Sequence, residues 1–242
     1  MLKRLSQKPE QLDKYNRVIK DELDKGTIER VHQSEKVQPC HQSTTKLHIV
    51  YNASARENRP ALNNCLPTGP PLAPDILDIF IRFRVQPMAL AADVEKAFLM
   101  IALKKEDRDV CFLWVDDMNS AKPKIVEYRF VQVVFGVTLS PFLLNATILK
   151  DVTSYEREDP EFVNQMLCLL YEDDLSISLE DVDKAYQLYL KSRERMAQVG
   201  FNLRKWLTNS RPLREKIKGM ESQREFSIQT ERENQLDKDD ET

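Results

Sequence analysis

The segment LLYEDDLSIS (residues 169–178) places three consecutive acidic residues, Glu172, Asp173 and Asp174, inside an otherwise apolar stretch. Ionised carboxylates that are buried without a partner cost several kcal/mol each. Apolar, strand-like segments therefore seldom hold such a triplet. The segment indicates either a solvated turn between two strands or a site where positive charge lies on the acids.

A further acidic residue, Asp93, ends another apolar segment 80 residues before Asp173. We predict strands over residues 162–171 and 175–178 that meet at the triplet, and a strand that runs from residue 88 into Asp93. Neighbouring strands of one sheet would bring Asp93 close to Asp173 and Asp174. Three carboxylates suit Mg²⁺, and two such ions can clamp an in-line phosphoryl displacement. The alternative is a solvated acidic turn with no metal.

The remaining periodicity predicts helices and strands in mixed order. We predict helices over 12–25, 75–84, 140–153 and 180–199, and further strands over 46–51, 110–115, 125–134 and 201–207. The apolar positions of the helix over 75–84 are predicted to face inward. This order indicates an α+β fold in which helices pack on an antiparallel sheet.

Composition excludes several classes of protein. The chain has 242 residues, 31% of them charged, and a net charge of −3, which suits a soluble globular protein. No apolar run reaches the roughly 18 residues of a membrane span, and the N-terminus lacks the apolar core of a signal peptide. We therefore expect a cytoplasmic or nuclear protein. The five glycines form neither a dinucleotide-binding fingerprint nor a P-loop.

Six segments in order resemble the reverse transcriptase domain of BEL/Pao-type LTR retrotransposon polyproteins. The tetrapeptide YEDD stands where that family has its tyrosine–variable–Asp–Asp signature, and ALAADVEKAF stands where it has the first catalytic aspartate. The resemblance extends from about residue 4 to residue 210. The six segments are residues 44–55, 61–84, 89–114, 127–145, 171–174 and 200–210.

The resemblance implies a fingers-and-palm polymerase with an antiparallel palm sheet backed by helices. The fingers-like part would be residues 1–87 and the palm residues 88–210. No thumb is expected after the palm, and residues 211–242 are predicted to form a charged, disordered tail, since they hold nine acidic and seven basic residues.

The resemblance also implies the catalytic residues. Asp93, Asp173 and Asp174 would bind two Mg²⁺ or Mn²⁺ ions, and the backbone carbonyl at Val94 would add a ligand. Lys205 stands near a lysine proposed to protonate the leaving pyrophosphate, which is general-acid chemistry. An ordinary exposed lysine on a strand is the alternative for Lys205.

Four further residues would contact the nucleotide or the templating pair. Phe98 would stack under the incoming sugar and exclude a ribose 2′-hydroxyl, although a plain core residue is the alternative. Phe135 and Gly136 would shape the floor under the templating pair, where glycine permits unusual torsions. Lys46 would contact a phosphate or, alternatively, be a solvated lysine.

The implied function is that of an RNA-directed DNA polymerase. It would extend a primer 3′-hydroxyl with dNTPs on an RNA or DNA template, and retroelement ribonuclease H and integrase domains would act in trans. Departures from the family pattern, His48, Asn52 and Glu172, favour a second hypothesis, a non-catalytic, decayed or domesticated retroelement fragment that acts at most as a binding module. A third is an unrelated α+β protein in which Asp93 lies far from Asp173.

Overall fold

The computed structural model of the protein describes residues 9–31, 41–43, 50–56, 60–116 and 124–222. The chain divides into two compact units. The first consists of Met1–Leu72 and Lys96–Ile148, and the second of Ala73–Glu95 and Leu149–Thr242. The predicted boundary between fingers and palm, at residue 87, therefore lies inside the second unit.

The secondary structure contains α-helices, short 3₁₀ turns and nine named strands in the described ranges. The helices are α1 (Pro9–Asp24), α2 (Leu62–Cys65), α3 (Ile76–Arg82), α4 (Ser140–Ser154), α5 (Pro160–Leu169), α6 (Val182–Gln198) and α7 (211–222). The strands are β1 (Ile28–Arg30), β2 (His41–Ser43), β3 (Val50–Asn52), β4 (Met88–Val94), β5 (Cys111–Val115), β6 (Ile125–Phe130), β7 (Leu170–Tyr171), β8 (Asp174–Leu179) and β9 (Leu203–Thr208). Most of the predicted strand over 46–51 lies outside the described residues.

The first unit contains the predicted hairpin. β5 and β6 pair antiparallel, β1 adds to the other edge of β6, and β2 pairs with β3 in a separate ladder. The core of this unit is aromatic, and Phe112 stacks on Tyr128 with ring centroids 5.7 Å apart. Helix α1 places Tyr15 and Ile19 in the same core, as its helical spacing predicts.

A partly buried ion network joins two strands of the first unit. Glu29 on β1 accepts hydrogen bonds from Arg129 Nε on β6, at 2.5 Å, and from Arg108 NH1, at 3.2 Å. Burial raises the pKa of Glu29, but the hydrogen bonds from Arg129 and Arg108 outweigh it and lower the pKa overall. Both arginine side chains are mostly buried, so their contacts with this carboxylate are only weakly screened by solvent.

Glu29→Gln is expected to lower the free energy of unfolding at pH 7 by about 1–2 kcal/mol, because it removes a carboxylate charge that two mostly buried guanidinium groups contact. Since the folded-state pKa of Glu29 is depressed, its contribution is present above its ordinary pKa of 4.5 and disappears as the pH falls through the lower folded value. Urea denaturation of both proteins at pH 7 and in acid measures this. A difference that grew in acid would contradict the network's role.

The second unit is built on one antiparallel sheet of strand order β7-β8-β4-β9. Side chains alternate along β4: Leu90, Ala92 and Val94 are buried, whereas the intervening residues, including Asp93, are only partly buried. Helix α6 packs against β4, β8 and β9, and α3 and α5 pack against β8. One face of the sheet therefore forms the core, and the opposite face carries Asp93.

The predicted strand over residues 162–171 is wrong for most of its length. Residues Pro160–Leu169 form helix α5, and only Leu170–Tyr171 form a strand. The Asp159 carboxylate caps the helix by accepting a hydrogen bond from the Phe162 backbone N–H at 3.1 Å, and Pro160 occupies the first turn. The helix ends where the short strand begins.

The prediction of a disordered tail from residue 211 is wrong for residues 211–222, which form helix α7. Leu213 and Ile217, one helical turn apart, are buried. The Tyr189 hydroxyl of α6 donates a hydrogen bond to Glu221 Oε1 at 2.5 Å, and burial, followed by this hydrogen bond, raises the pKa of Tyr189 to about 12. Residues 223–242 lie outside the described part.

Helix α3 differs from the inward-facing helix predicted over 75–84. Ile79 is buried, but Ile76, Leu77 and Phe80 are exposed. The Asp75 carboxylate caps the helix through the Leu77 backbone N–H, so the helix begins where expected but is shorter. Among the residues that the structure describes, no helix combines the length and apolarity needed to cross a lipid bilayer.

Candidate functional site

The second unit brings the predicted acidic residues to one end of its sheet. Asp93 on β4 and Asp174 on β8 are directly opposite each other in the antiparallel ladder. The Val94 backbone N–H donates a hydrogen bond to the Asp173 carbonyl oxygen at 2.8 Å, which fixes the turn against the end of β4. Asp93, Asp173 and Asp174, the acidic cluster, are adjacent as the sequence predicted.

Glu172 and Asp173 form a two-residue connection between β7 and β8, since Tyr171 pairs with Asp174. Glu172 adopts a left-handed conformation with φ of 54°. Such a conformation costs a residue with a side chain about 1–2 kcal/mol, so the tight turn is held by the sheet around it. The acidic triplet is thus a turn at the sheet edge, and none of its side chains is buried.

The electrostatics of the acidic cluster show an excess of negative charge. Partial desolvation of the largely exposed Asp174 carboxyl raises its pKa, and the neighbouring charges of Asp173 and Asp93 raise it further, while Lys205 opposes them. Like charges at this separation disfavour simultaneous ionisation. The cluster therefore favours an additional cation.

Asp174→Asn is expected to stabilise the protein at pH 7 by less than about 1 kcal/mol, since the side chain is exposed and well screened. The folded-state pKa of Asp174 lies above its ordinary value of 3.8, so ionisation of Asp174 opposes folding. The natural protein therefore loses stability as the pH rises from 3.8 through the folded-state pKa, and the asparagine variant does not. The gain should vanish below about pH 3.8. Urea midpoints across this range measure it, with Asp183→Asn on α6 as the control for an exposed acid. A destabilising effect at pH 7 would contradict the prediction.

Two basic residues of β9 contact the acidic cluster. Arg204 Nε lies 3.3 Å and Lys205 Nζ lies 3.2 Å from the same oxygen, Asp93 Oδ2. Arg204 also donates to Glu95 Oε1 at 2.7 Å, and Asn202 donates to the other oxygen of Glu95 at 2.8 Å. Neither Arg204 nor Glu95 is among the site residues predicted from the sequence. Glu95 is two residues beyond Asp93, a spacing typical of one strand face, but finding Arg204 requires the register of β4 with β9.

The donor chemistry of the acidic cluster fits Mg²⁺ or Mn²⁺, because these ions prefer carboxylate oxygens and the cluster has excess negative charge. As the side chains lie, however, no group of three His, Cys, Asp or Glu residues in the described ranges is arranged to hold a metal ion. Asp93 Oδ2 is instead in contact with Arg204 and Lys205.

The predicted nucleotide-contacting residues that the structure describes lie in the first unit. Phe98 is buried and packs edge-to-face on the exposed ring of Phe135, with centroids 5.7 Å apart. Gly136 has φ of 93°, a conformation that favours glycine, as predicted. Its carbonyl oxygen accepts a hydrogen bond from Asn63 Nδ2 at 3.1 Å. Lys46 lies outside the described residues.

Two solved structures are similar to this chain. One is a foamy viral protease–reverse transcriptase in complex with an RNA/DNA hybrid, with a TM-score of 0.56 and 17% identity over 77% of this chain and 22% of that one. The other is a foamy viral protease–reverse transcriptase, termed dRH, in complex with double-stranded DNA, with a TM-score of 0.56 and 16% identity over 81% of this chain and 31% of that one. This chain therefore spans between about a fifth and a third of their length.

The chain has a reverse-transcriptase-like fold. The likeness to the foamy viral structures covers more than three quarters of the chain and, at this identity, shows the fold alone. No protein-family model matches the chain, and none of the curated proteins matches it in sequence.

Proposed function

We propose that the chain is an RNA-directed DNA polymerase domain from a BEL/Pao-type retrotransposon. The observation that carries the proposal is the pairing of Asp93 with Asp174, with Asp173 in the adjoining turn, in a chain of reverse-transcriptase-like fold. The six sequence segments support the retrotransposon type. Residues 1–87 would form the fingers and residues 88–210 the palm.

In this proposal the acidic cluster holds two divalent cations. Bound there, Mg²⁺ or Mn²⁺ would lower the pKa of the primer 3′-hydroxyl and neutralise charge that develops during attack on the α-phosphate of a dNTP. The carboxylates of Asp93, Asp173 and Asp174 supply the charge, and the turn at Glu172 and Asp173 sets their positions. The backbone at Val94 would add a ligand.

The remaining residues orient the substrates and move a proton. Phe98, held by its contact with Phe135, would pack against the dNTP sugar, and Gly136 would allow the backbone to approach the templating pair. Lys205 would donate a proton to the leaving pyrophosphate, and Lys46 would contact a phosphate. Sequence information would come from base pairing with the RNA or DNA template.

One observation favours the second candidate, a non-catalytic retroelement fragment. Arg204 and Lys205 both contact Asp93, which neutralises a carboxylate that the polymerase needs for its cations. Glu172 also adds a negative charge beside the place where primer phosphates would lie. A binding module would keep the fold and bind a template–primer without catalysing nucleotide addition.

Primer extension by the full chain distinguishes the two candidates. With poly(rA)/oligo(dT), dTTP and Mg²⁺ or Mn²⁺, the polymerase is expected to incorporate dTMP, and EDTA should stop incorporation. Asp173→Asn should reduce the rate by roughly a thousandfold, whereas Asp183→Asn, an exposed acid on α6, should change it less than twofold. Absence of incorporation at every protein concentration, with retained binding of the template–primer, would overturn the polymerase and support the binding module.

A further inference from the structure

Strand β9 contains an irregularity next to the acidic cluster. Ala91 pairs with Leu207 and Asp93 pairs with Arg204, so two residues of β9, Lys205 and Trp206, stand opposite the single residue Ala92. Lys205 adopts a left-handed conformation with φ of 54°. The irregularity is therefore a β-bulge with a lysine at a position that favours glycine.

The bulge changes the direction of the Lys205 side chain. In a regular strand consecutive side chains point to opposite faces, so Arg204 and Lys205 could not both reach Asp93. Here both reach the same oxygen, Asp93 Oδ2. A left-handed lysine costs more than an exposed ion pair returns, so the pair alone does not account for the bulge.

The two cations are anchored differently. Arg204 is fixed by a second, 2.7 Å contact with Glu95, which is itself held by the Asn202 side chain and by a 2.8 Å backbone hydrogen bond to the Asn202 carbonyl. The side chain of Lys205 is 64% exposed, and its ammonium group forms an ion pair with Asp93. The ammonium group is therefore less firmly anchored than the Arg204 guanidinium group.

We propose that Lys205 is a displaceable counter-ion of the acidic cluster, which occupies Asp93 Oδ2 when no divalent cation is bound and leaves it when one binds. The inference rests on the proposed function for the class of cation and for the use of the released lysine. Release would carry the ammonium group from the acidic cluster toward the leaving pyrophosphate. Loading of the cation would then make the proton donor available.

The proposal predicts that removing Lys205 tightens cation binding. A divalent cation at Asp93 must displace the ammonium group and then tolerate a positive charge only a few ångströms away. Together these effects weaken apparent affinity by about three- to tenfold. A lysine that only supported the local structure would have the opposite effect, because its loss would disorder the ligands and weaken binding.

The test is a titration of the full chain with Mn²⁺ alone, in which free Mn²⁺ is followed by its EPR signal. Lys205→Gly and Lys205→Asn remove the charge, and both residues tolerate the left-handed conformation, so the bulge is retained. Lys184→Met is the matched control, because Lys184 is also an exposed, ion-paired lysine, but its partner Glu180 follows the end of β8 opposite to Asp174. Asp173→Asn identifies the binding that belongs to the acidic cluster.

Both Lys205 variants are expected to bind Mn²⁺ about three- to tenfold more tightly than the natural chain, and Lys184→Met is expected to bind it as tightly as the natural chain does. Asp173-dependent binding that appears only in the Lys205 variants also supports the inference. Unchanged or weaker binding in both, or no Asp173-dependent binding in any of them, overturns it. If the affinity shift occurs and primer extension is absent, the role of Lys205 as a displaceable counter-ion is supported and the proposed polymerase function is wrong.

Discussion

Asp93→Asn is expected to lower the rate of primer extension by roughly a thousandfold, equivalent to about 4 kcal/mol of transition-state stabilisation, while hardly changing the stability of the fold. Asparagine keeps the shape of the side chain and removes its charge. One of three carboxylates that would hold the cations is then lost. Arg204 and Lys205 lose their partner, but Arg204 keeps Glu95 and both side chains are substantially exposed, so the effect on unfolding is small.

A second variant of the same residue separates charge from position. Asp93→Glu keeps the carboxylate but moves it by about one methylene, and displacements near 1 Å can cost a hundredfold in rate. We therefore expect roughly a hundredfold loss for Asp93→Glu, which lies between the natural chain and Asp93→Asn. Steady-state primer extension with thermal unfolding of each variant measures both effects. If Asp93→Asn kept more than about a tenth of the natural rate, the acidic cluster would not be the catalytic centre.

The position of the acidic cluster could be predicted because it follows from short-range patterns. An apolar run that ends at Asp93 and another that begins after Asp174 each mark a strand, and acids at both ends predict that the ends meet if the strands are neighbours. The observed register pairs Asp93 directly with Asp174. Alternation along β4 places this pair on the face opposite to the core, which is why a charged site can exist at a buried sheet.

Helix α5 was predicted as a strand because apolar content outweighed the capping signal. Residues 162–171 are almost continuously apolar, which is typical of a buried strand and of a buried helix alike. The Asp-Pro-Glu sequence at residues 159–161 is a helix start, with a cap, a proline in the first turn and an acid near the dipole. Together, these three signals predict the observed helix.

Helix α7 was missed for a related reason. Its charged composition suggested a tail, but Ser210 caps the helix through the Leu213 backbone N–H, and Leu213 and Ile217 share one face. The pairing of Arg204 and Lys205 with Asp93 is a different case. It depends on a bulge and a left-handed lysine, for which neither propensity nor periodicity contains a signal.

Leu175→Ala is expected to reduce the free energy of unfolding by about 3 kcal/mol, within the usual range of 2–5 kcal/mol for a buried leucine. Leu175 is fully buried, follows Asp174 directly, and pairs with Ala92 and Leu170. For a chain of this size the loss corresponds to a fall of about 6–12 °C in Tm. Equilibrium urea unfolding, with thermal unfolding beside it, measures the change.

Leu207→Ala is the matched control, because Leu207 lies in the same sheet, on β9, but is 69% exposed, and its loss should stay within about 0.5 kcal/mol. Equal effects of the two substitutions would contradict the assignment of the buried face.

The burial of Leu175 also bears on the acidic cluster. Because Asp174 and Leu175 point to opposite faces, a slip of β8 by one residue would place the aspartate in the core and the leucine in solvent. The leucine thus stabilises the register that sets Asp174 opposite Asp93.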